Sequence, residues 1–160
     1  MTIHRPENTD YPEKLSEIVA AFEALPLPVL FPTHPRTRPK LEQFMERDGN
    51  VSLIDPVGYL DMLAMQCDSA AIVTDSGGVQ EESCMVGTPC VTVRRSTERA
   101  ITCEVGSNEL VDAEMNAIAA ALERALAKEP TWERPERWDA EVSKRIVEVL
   151  DGGLPKLRGA

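Results

Sequence analysis

Short apolar runs alternate with longer amphipathic stretches along most of this chain. Runs of this length, rich in Val, Ile and Leu, are typical of strands buried on both faces of a parallel sheet. Thr2 and Ile3 have the pattern of a strand's last residues. The other predicted strands are Val29–Phe31, Val51–Ile54, Ala70–Thr74, Cys90–Val93 and Glu109–Val111.

Between the strands, apolar residues recur at the spacing of a helix face. Leu15, Ile18, Val19 and Phe22 fall on one such face, and Pro26 then stops the helix. Tyr59, Leu60, Leu63 and Ala64 mark the third helix in the same way. The predicted helices cover about 12–25, 38–46, 59–64, 79–86, 98–105, 113–128 and 140–150.

The alternation of strand and helix favours an α/β fold. We predict a Rossmann-like, doubly wound parallel sheet of about five or six strands. The 160 residues suffice for one such domain but not for two. We assign residues 1–150 to it and expect residues 151–160 to be a disordered tail. Because the chain starts at the end of a strand, we also expect it to be an excised domain.

The charge balance narrows the range of ligands. Seventeen basic against 27 acidic residues give a net charge of −10, whereas proteins that bind nucleic acid backbones are usually basic. DNA and RNA are therefore excluded as expected partners. A smaller anion has to be held by short-range donors that overcome the overall field.

The sequence also lacks the patterns of a membrane span, a secretory signal and a metal site. No apolar run is long enough for a bilayer span and the start has no secretory signal, so we expect a cytoplasmic protein without membrane contact. The four cysteines form no C-x-x-C pair and have no histidine at metal spacing, which predicts small buried thiols and no metal site.

Candidate chemistry gathers at the carboxyl ends of the predicted strands, where open α/β sheets bind their ligands. The loop Asp75–Gly78 is the strongest single signal. Its glycines permit either a left-handed turn or a close approach of ligand to backbone, and the following helix offers unpaired N–H groups to an anion. The alternative is a tight turn with Ser76 as an N-cap. The loop lacks the G-x-G-x-x-G and G-x-x-x-x-G-K-[ST] patterns, which argues against NAD enzymes and ATPases.

Four more side chains are candidates, each with a structural alternative. Glu82, one turn into that helix, suits either ribose hydroxyls or ordinary helix-start chemistry. Arg99 suits a diphosphate or is a surface arginine. His4 and His34 both follow predicted strands, a position that suits catalysis or binding as well as a structural role.

Several segments occur together in an order that resembles a known family. The stretch Thr74–Glu82, T-D-S-G-G-V-Q-E-E, is the most specific of them. The chain resembles the second domain of the non-hydrolysing UDP-N-acetylglucosamine 2-epimerases, two-domain enzymes of GT-B type. The other matching segments are Thr2–Asn8, Pro32–His34, Ile54–Pro56, Tyr59–Leu60, Gly87–Pro89 and Thr97–Arg99.

The resemblance implies a set of UDP contacts. It assigns Ser76, Gly77 and Gly78 to the diphosphate, Glu82 to the ribose and Arg99 to a phosphate. Met62 takes a position on the uracil side.

The two histidines receive separate roles. His4 lies near the C1–O bond that breaks, and His34 matches a position that in bacterial members is associated with a second, activating UDP-GlcNAc.

The resemblance also implies a reaction that needs no cofactor. UDP-GlcNAc and UDP-ManNAc interconvert by anti elimination of UDP and its readdition on the other face, within cell-surface polysaccharide biosynthesis. The family's carboxylates that exchange the C2 proton belong to an N-terminal domain that this chain does not contain. We therefore expect the isolated chain to bind UDP weakly without catalysis, and the full-length parent to be a homodimer. The alternatives are the donor-binding domain of a GT-B glycosyltransferase and a non-catalytic UDP-sugar-binding module.

Overall fold

The computed structural model describes residues 1–45, 49–127 and 129–152. Within these ranges five strands pair in parallel, β1 with β2 in one group and β3, β4 and β5 in order in the other. The strands are β1 Val29–Pro32, β2 Val51–Ile54, β3 Ile72–Thr74, β4 Cys90–Val93 and β5 Asn108–Val111.

The N-terminal residues connect the two groups of strands. Thr2 forms a parallel bridge with Thr74, and its N–H donates to Val73 O at 2.9 Å. On the other side, the N-terminal amine of Met1 donates to Leu30 O at 2.7 Å. Residues 1–3 therefore lie between β1 and β3, and the chain winds outward from them in both directions. The predicted doubly wound α/β fold is confirmed, with its topological switch point where residues 3 and 4 leave the sheet.

Eight helices surround the sheet in the described ranges, and proline or glycine fixes several of their ends. Pro6 and Pro12 take first-turn positions, where the missing N–H costs nothing. Gly87, with φ of 87°, ends the fifth helix. The helices are α1 Pro6–Thr9, α2 Pro12–Glu23, α3 Arg38–Leu41, α4 Tyr59–Cys67, α5 Gly77–Val86, α6 Ala100–Glu104, α7 Met115–Ala127 and α8 Val142–Asp151.

Most predicted elements are present, with two main differences in the helices. The helix α1 was not predicted, because four residues carry no apolar period. Helix α3 ends at Leu41, earlier than expected. Two predicted helix ends, at residues 46 and 128, lie outside the described residues, as does the expected disorder of the tail beyond residue 152.

The core lies where α2 and α7 pack against each other and α7 covers β4 and β5. Leu15, Ile18 and Phe22 of α2 and Ile118 of α7 are almost fully buried, as the helical spacing of α2 predicts. Full burial of one such side chain contributes about 1.5–3 kcal/mol relative to exposure. This interior fixes the strands whose carboxyl ends form the site.

Two helices carry apolar side chains on their outer faces. Tyr59 and Leu60 of α4 are 64% and 77% exposed, so the pattern predicted the helix correctly but not its buried face. An apolar cavity of about 660 Å³ lies between α4, β1 and β3. In α8, Ile146 and Leu150 are also exposed. No helix in the part of the chain that the structure describes is long and apolar enough to cross a membrane.

All four cysteines are free thiols. Cys84 and Cys90 are buried as expected, and burial raises the pKa of Cys90 to about 11. Cys67, however, is exposed at the end of α4, so the prediction of buried thiols is wrong there. Across residues 1–45, 49–127 and 129–152, no three His, Cys, Asp or Glu side chains are grouped so that they could hold a metal ion.

Candidate functional site

Asp75 organises the switch point. It follows β3 directly and is fully buried, and a buried carboxylate needs hydrogen-bond donors. The backbone N–H of His4 lies 3.1 Å from both carboxylate oxygens, and that of Arg5 donates to Oδ2 at 2.9 Å. Asn8 Nδ2 also donates to Oδ2, at 3.0 Å. These donors hold the loop that follows the N-terminal residues, and the start of α1, against the end of β3.

The side chain of His4 is part of the same arrangement. His4 Nδ1 lies 3.1 Å from Asp75 Oδ1, and its side chain is 55% exposed. The hydrogen bond with Asp75 raises the pKa of His4 above 6.5, although partial burial opposes this. Burial also acts to raise the pKa of Asp75, but hydrogen bonds from His4, Arg5 and Asn8 outweigh it and keep that pKa below 3.8. Asp75 thus orients a histidine that favours its charged form and leaves Nε2 on the far side of the ring.

The predicted anion loop is the start of α5. Ser76 is the N-cap residue with extended backbone, and its hydroxyl makes no capping hydrogen bond with any described residue. Gly77 and Gly78 form the first turn, so their N–H groups belong to those that helix geometry leaves unpaired. Among the glycines of the described ranges, only Gly87 and Gly106 have positive φ. The possibility of a left-handed turn at Gly77 is therefore wrong, and the close approach of a ligand to the backbone stays a prediction.

A buried glutamine fixes this helix start to the loop after β4. Gln80 is fully buried, and its Nε2 donates to Ser76 O at 3.1 Å. Its Oε1 accepts hydrogen bonds from Thr97 Oγ1 at 2.6 Å and from Asn108 Nδ2 at 3.2 Å. Residues 97–99 consequently lie beside the N-terminus of α5.

Glu82 and Arg99 both face this helix start. A Cβ built on Gly78 would lie 3.9 Å from Glu82 Oε1, and Gln66 Nε2 donates to Glu82 Oε2 at 2.6 Å. A Cβ built on Gly77 would lie 4.0 Å from Arg99 Nε. Arg99 Nε is 2.9 Å from Glu81 Oε1, but without the angle of a hydrogen bond. A carboxylate and a guanidinium thus flank the two glycines, as the sequence predicts.

The remaining predicted residues line a second space at the switch point. A cavity of about 580 Å³ is bounded by His4, His34 and Met62, among others. His34 is exposed, and its Nδ1 accepts a hydrogen bond from Arg36 N at 3.2 Å. The structure brings the eight predicted residues into two neighbouring groups. Ser76, Gly77 and Gly78 lie with Glu82 and Arg99 at the start of α5, and the other three, His4, His34 and Met62, line this cavity.

Sequence reasoning missed the residues that hold this arrangement together. Asp75 and Gln80 were parts of a motif without roles of their own, and Arg94 and Glu98 were not singled out. An acid directly after a buried strand was the available signal for Asp75, but its partners lie about 70 positions earlier in the chain.

A doubly wound parallel sheet with an unpaired helix start at its switch point is typical of α/β domains that bind phosphate-bearing ligands. Comparison with known proteins identifies the family. The family model for UDP-N-acetylglucosamine 2-epimerase matches residues 1–151. The chain therefore belongs to the UDP-N-acetylglucosamine 2-epimerase family.

Individual relatives agree with this assignment. A UDP-N-acetylglucosamine 2-epimerase from Methanocaldococcus jannaschii is 38% identical over 162 residues, 96% of this chain and 44% of the relative. A UDP-2,3-diacetamido-2,3-dideoxy-D-glucuronate 2-epimerase from Pseudomonas aeruginosa is 40% identical, over 93% of this chain and 43% of the relative. This chain thus spans less than half the length of these relatives.

Solved structures agree with the fold. The Methanocaldococcus jannaschii UDP-GlcNAc 2-epimerase in complex with UDP-GlcNAc and UDP has a TM-score of 0.84 at 38% identity, over 95% of this chain and 44% of that chain. The Neisseria meningitidis UDP-GlcNAc 2-epimerase bound to UDP-GlcNAc has a TM-score of 0.80 at 27% identity, with the same shares covered.

Proposed function

We propose that this chain is the UDP-binding half of an enzyme that interconverts UDP-GlcNAc and UDP-ManNAc by epimerisation at C2. The observation that carries the proposal is the start of α5. Its two glycines, an arginine and a carboxylate lie together at the switch point, next to the pair of His4 and Asp75. The complex of the Methanocaldococcus jannaschii relative with UDP-GlcNAc and UDP supports the choice of nucleotide.

Each part of UDP has a matching partner in the proposed site. The diphosphate lies at the N–H groups of Gly77 and Gly78 and the hydroxyl of Ser76, where the helix dipole favours negative charge. Arg99 contributes a charge-assisted hydrogen bond to a phosphate. Glu82 accepts hydrogen bonds from the ribose hydroxyls, and Met62 packs on the uracil side.

His4 is the proposed catalytic residue of this half. In the elimination step a base removes the C2 proton, the C1–O bond breaks, and UDP leaves with the bonding electron pair to give 2-acetamidoglucal. Readdition returns a proton to the other face of C2 and the UDP oxygen to C1. A charged His4, held by Asp75, stabilises the negative charge that develops on the departing phosphate oxygen. The carboxylates that move the C2 proton are proposed to lie in the part of the relatives' length that this chain does not span.

The sugar is part of the proposal rather than of the family assignment. The Pseudomonas aeruginosa relative is named for UDP-2,3-diacetamido-2,3-dideoxy-D-glucuronate, a different UDP-linked 2-acetamido sugar. The contacts described above address UDP, which both substrates share. Parallel assays of the full-length parent with each substrate decide between them.

Four further assignments rest on the family resemblance. His34 is proposed to contact a second, activating UDP-GlcNAc, which its place in the cavity beside His4 supports. The cytoplasmic location, the homodimeric parent and the role in polysaccharide biosynthesis stay predictions.

Calorimetry with UDP and with inorganic pyrophosphate tests the proposed contacts. Glu82→Ala should weaken binding of UDP and spare pyrophosphate, because a carboxylate does not attract phosphate. Arg99→Ala should weaken both by about 1.5–3 kcal/mol, the loss expected for a charge-assisted hydrogen bond. Arg124→Ala, which removes a cation paired with Glu109, is the matched control.

Two results would contradict the proposal. Equal losses on both ligands in Glu82→Ala would remove the ribose assignment. Conversion of UDP-GlcNAc to UDP-ManNAc by this chain alone would show that the chemistry does not need a second half.

A further inference from the structure

A carboxylate of this chain already lies at the start of α5. A Cβ built on Gly77 would come within 2.7 Å of Glu98 Oε1, closer than real Cβ contacts allow. The side chain of Glu98 therefore occupies the space that the absent side chain of Gly77 leaves open. It reaches there from the loop after β4, and its side chain is 48% exposed.

Two cations also lie beside this carboxylate. Arg94 Nη2 lies 2.9 Å from Glu98 Oε2, and Arg5 Nη2 lies 3.9 Å from Oε1. The side chain of Arg94 is only 12% exposed, and its buried Nη1 has no hydrogen-bond partner in the described part of the chain. A guanidinium that is nearly buried and half satisfied has capacity for a further acceptor.

A carboxylate between an unpaired helix start and two guanidinium groups has the surroundings that a phosphate group requires. We propose that Glu98 is an internal anion that occupies one phosphate position of the diphosphate site and is displaced when a nucleoside diphosphate binds. The displacement frees Arg94 for the ligand. This inference rests on the proposed function, since it concerns the same anion site.

Displacement makes Glu98 a residue that sets the affinity for phosphate ligands. When a ligand displaces Glu98, the ion pairs of Glu98 with Arg94 and Arg5 are lost. The ligand has to replace them with its own charge. A diphosphate replaces both the carboxylate at the helix start and the partner of Arg94, whereas a ligand without phosphate replaces neither. Glu98 thus lowers affinity for every phosphate ligand and leaves neutral ligands such as uridine unaffected.

Titration of the purified chain with UDP, inorganic pyrophosphate and uridine tests the inference. Glu98→Gln removes the charge and keeps the shape, and its affinity for UDP and pyrophosphate should rise about fivefold, the upper range for an exposed ion pair. Uridine binding should not change. Glu109→Gln is the matched control, because it alters the net charge equally at a carboxylate paired with Arg124. An equal rise in both variants would assign the effect to overall charge and overturn the inference.

The outcomes separate this inference from the proposed function. If the unsubstituted chain binds UDP and the Glu98→Gln chain binds it equally or more weakly, only the proposed role of Glu98 fails. If neither protein binds pyrophosphate or UDP, the anion site itself fails and the inference with it.

Thermal unfolding distinguishes displacement from a bracing role. Pyrophosphate should raise the melting temperature of Glu98→Gln more than that of the unsubstituted chain. In the variant, no carboxylate competes with pyrophosphate for Arg94. If Glu98 only supports the fold, Glu98→Gln will melt at a lower temperature than the unsubstituted chain. Pyrophosphate will then raise the melting temperatures of both chains equally.

Discussion

At the residue scale, the pairing of His4 with Asp75 has a consequence for pH. The pKa of His4 is raised above 6.5, so the pair stabilises the fold fully below pH 6.5 and loses this effect as pH rises through the folded-state pKa. His4→Gln should therefore lower the free energy of unfolding more at about pH 5.5 than at about pH 8.5. Urea unfolding at both values measures the difference. The same loss at both would mean that the Asp75 carboxylate does not favour a charged His4.

A substitution at Gly77 distinguishes an effect on UDP binding from an effect on backbone stability. Its φ is not positive, so the helix backbone accepts alanine, and stability should change little once the flexible end of Glu98 moves aside. The new methyl group would enter the space of Glu98 Oε1, which is also the proposed phosphate position. Gly77→Ala should then reduce UDP affinity at least about tenfold, or about 1.4 kcal/mol.

Melting temperature and UDP titration on the same Gly77→Ala protein test this. Gly58→Ala is a suitable control, because a Cβ there would meet only Asp61 Oδ2, at 3.5 Å. A stable Gly77→Ala protein that binds UDP like the parent would remove the glycine from the site.

The role of Asp75 shows what local sequence cannot reveal. Glycines and an acid after a strand indicate a ligand loop, because those properties belong to the loop itself. The hydrogen bonds from His4, Arg5 and Asn8 depend on a contact between residues about 70 positions apart. The same holds for Glu98 over Gly77, since only the folded loop after β4 brings them together.

At the element scale, the end of α5 depends on one backbone conformation. Gly87 has φ of 87°, and a Cβ built on it would meet nothing within 4 Å. Any penalty for Gly87→Ala thus comes from the left-handed backbone alone, about 1–2 kcal/mol. Chemical denaturation, again with Gly58→Ala for comparison, measures it. A neutral Gly87→Ala would mean that α5 ends in another conformation.

Elements were predictable where burial or a chain-breaking residue imposes a pattern. All four residues of β4 are buried, which gives the continuous apolar run that predicts such a strand. Gly87 predicts the end of α5 in the same direct way. The helix α1 was not predictable, because Asp75, after a distant strand, holds its N-cap residue Arg5 and its residue Asn8. The buried face of α4 was also predicted wrongly, since Tyr59 and Leu60 are exposed. Only tertiary packing decides which face of that helix is buried.

At the scale of the whole molecule, the arginines of the site contrast with the acidic balance of the chain. The net charge is −10, yet Arg5, Arg94 and Arg99 lie around one helix start. Long-range attraction therefore does not draw an anion in, and contact donors have to supply the affinity. In the proposed displacement, Glu98 keeps Arg5 and Arg94 paired until a ligand with enough charge arrives.

The join between the two groups of strands has a consequence for amide hydrogen exchange. In the described residues β1 and β2 pair only with each other, and residues 1–3 connect them to β3. We expect the pair β1–β2 to open without global unfolding, whereas the fully buried Val91 and Val93 of β4 exchange only when the whole domain unfolds.

Exchange rates measured across a series of low denaturant concentrations test this. Amides of Phe31 and Leu53 should report a smaller opening free energy than those of Val91 and Val93. Equal values would mean that the sheet opens as one unit. Because His4 leaves the sheet at this join, a nucleotide held on both sides of it should slow exchange in β1–β2 as well as in β4, since either opening would release it. Slower amide exchange in the strand pair β1–β2 would then report that a nucleotide has bound at the switch point.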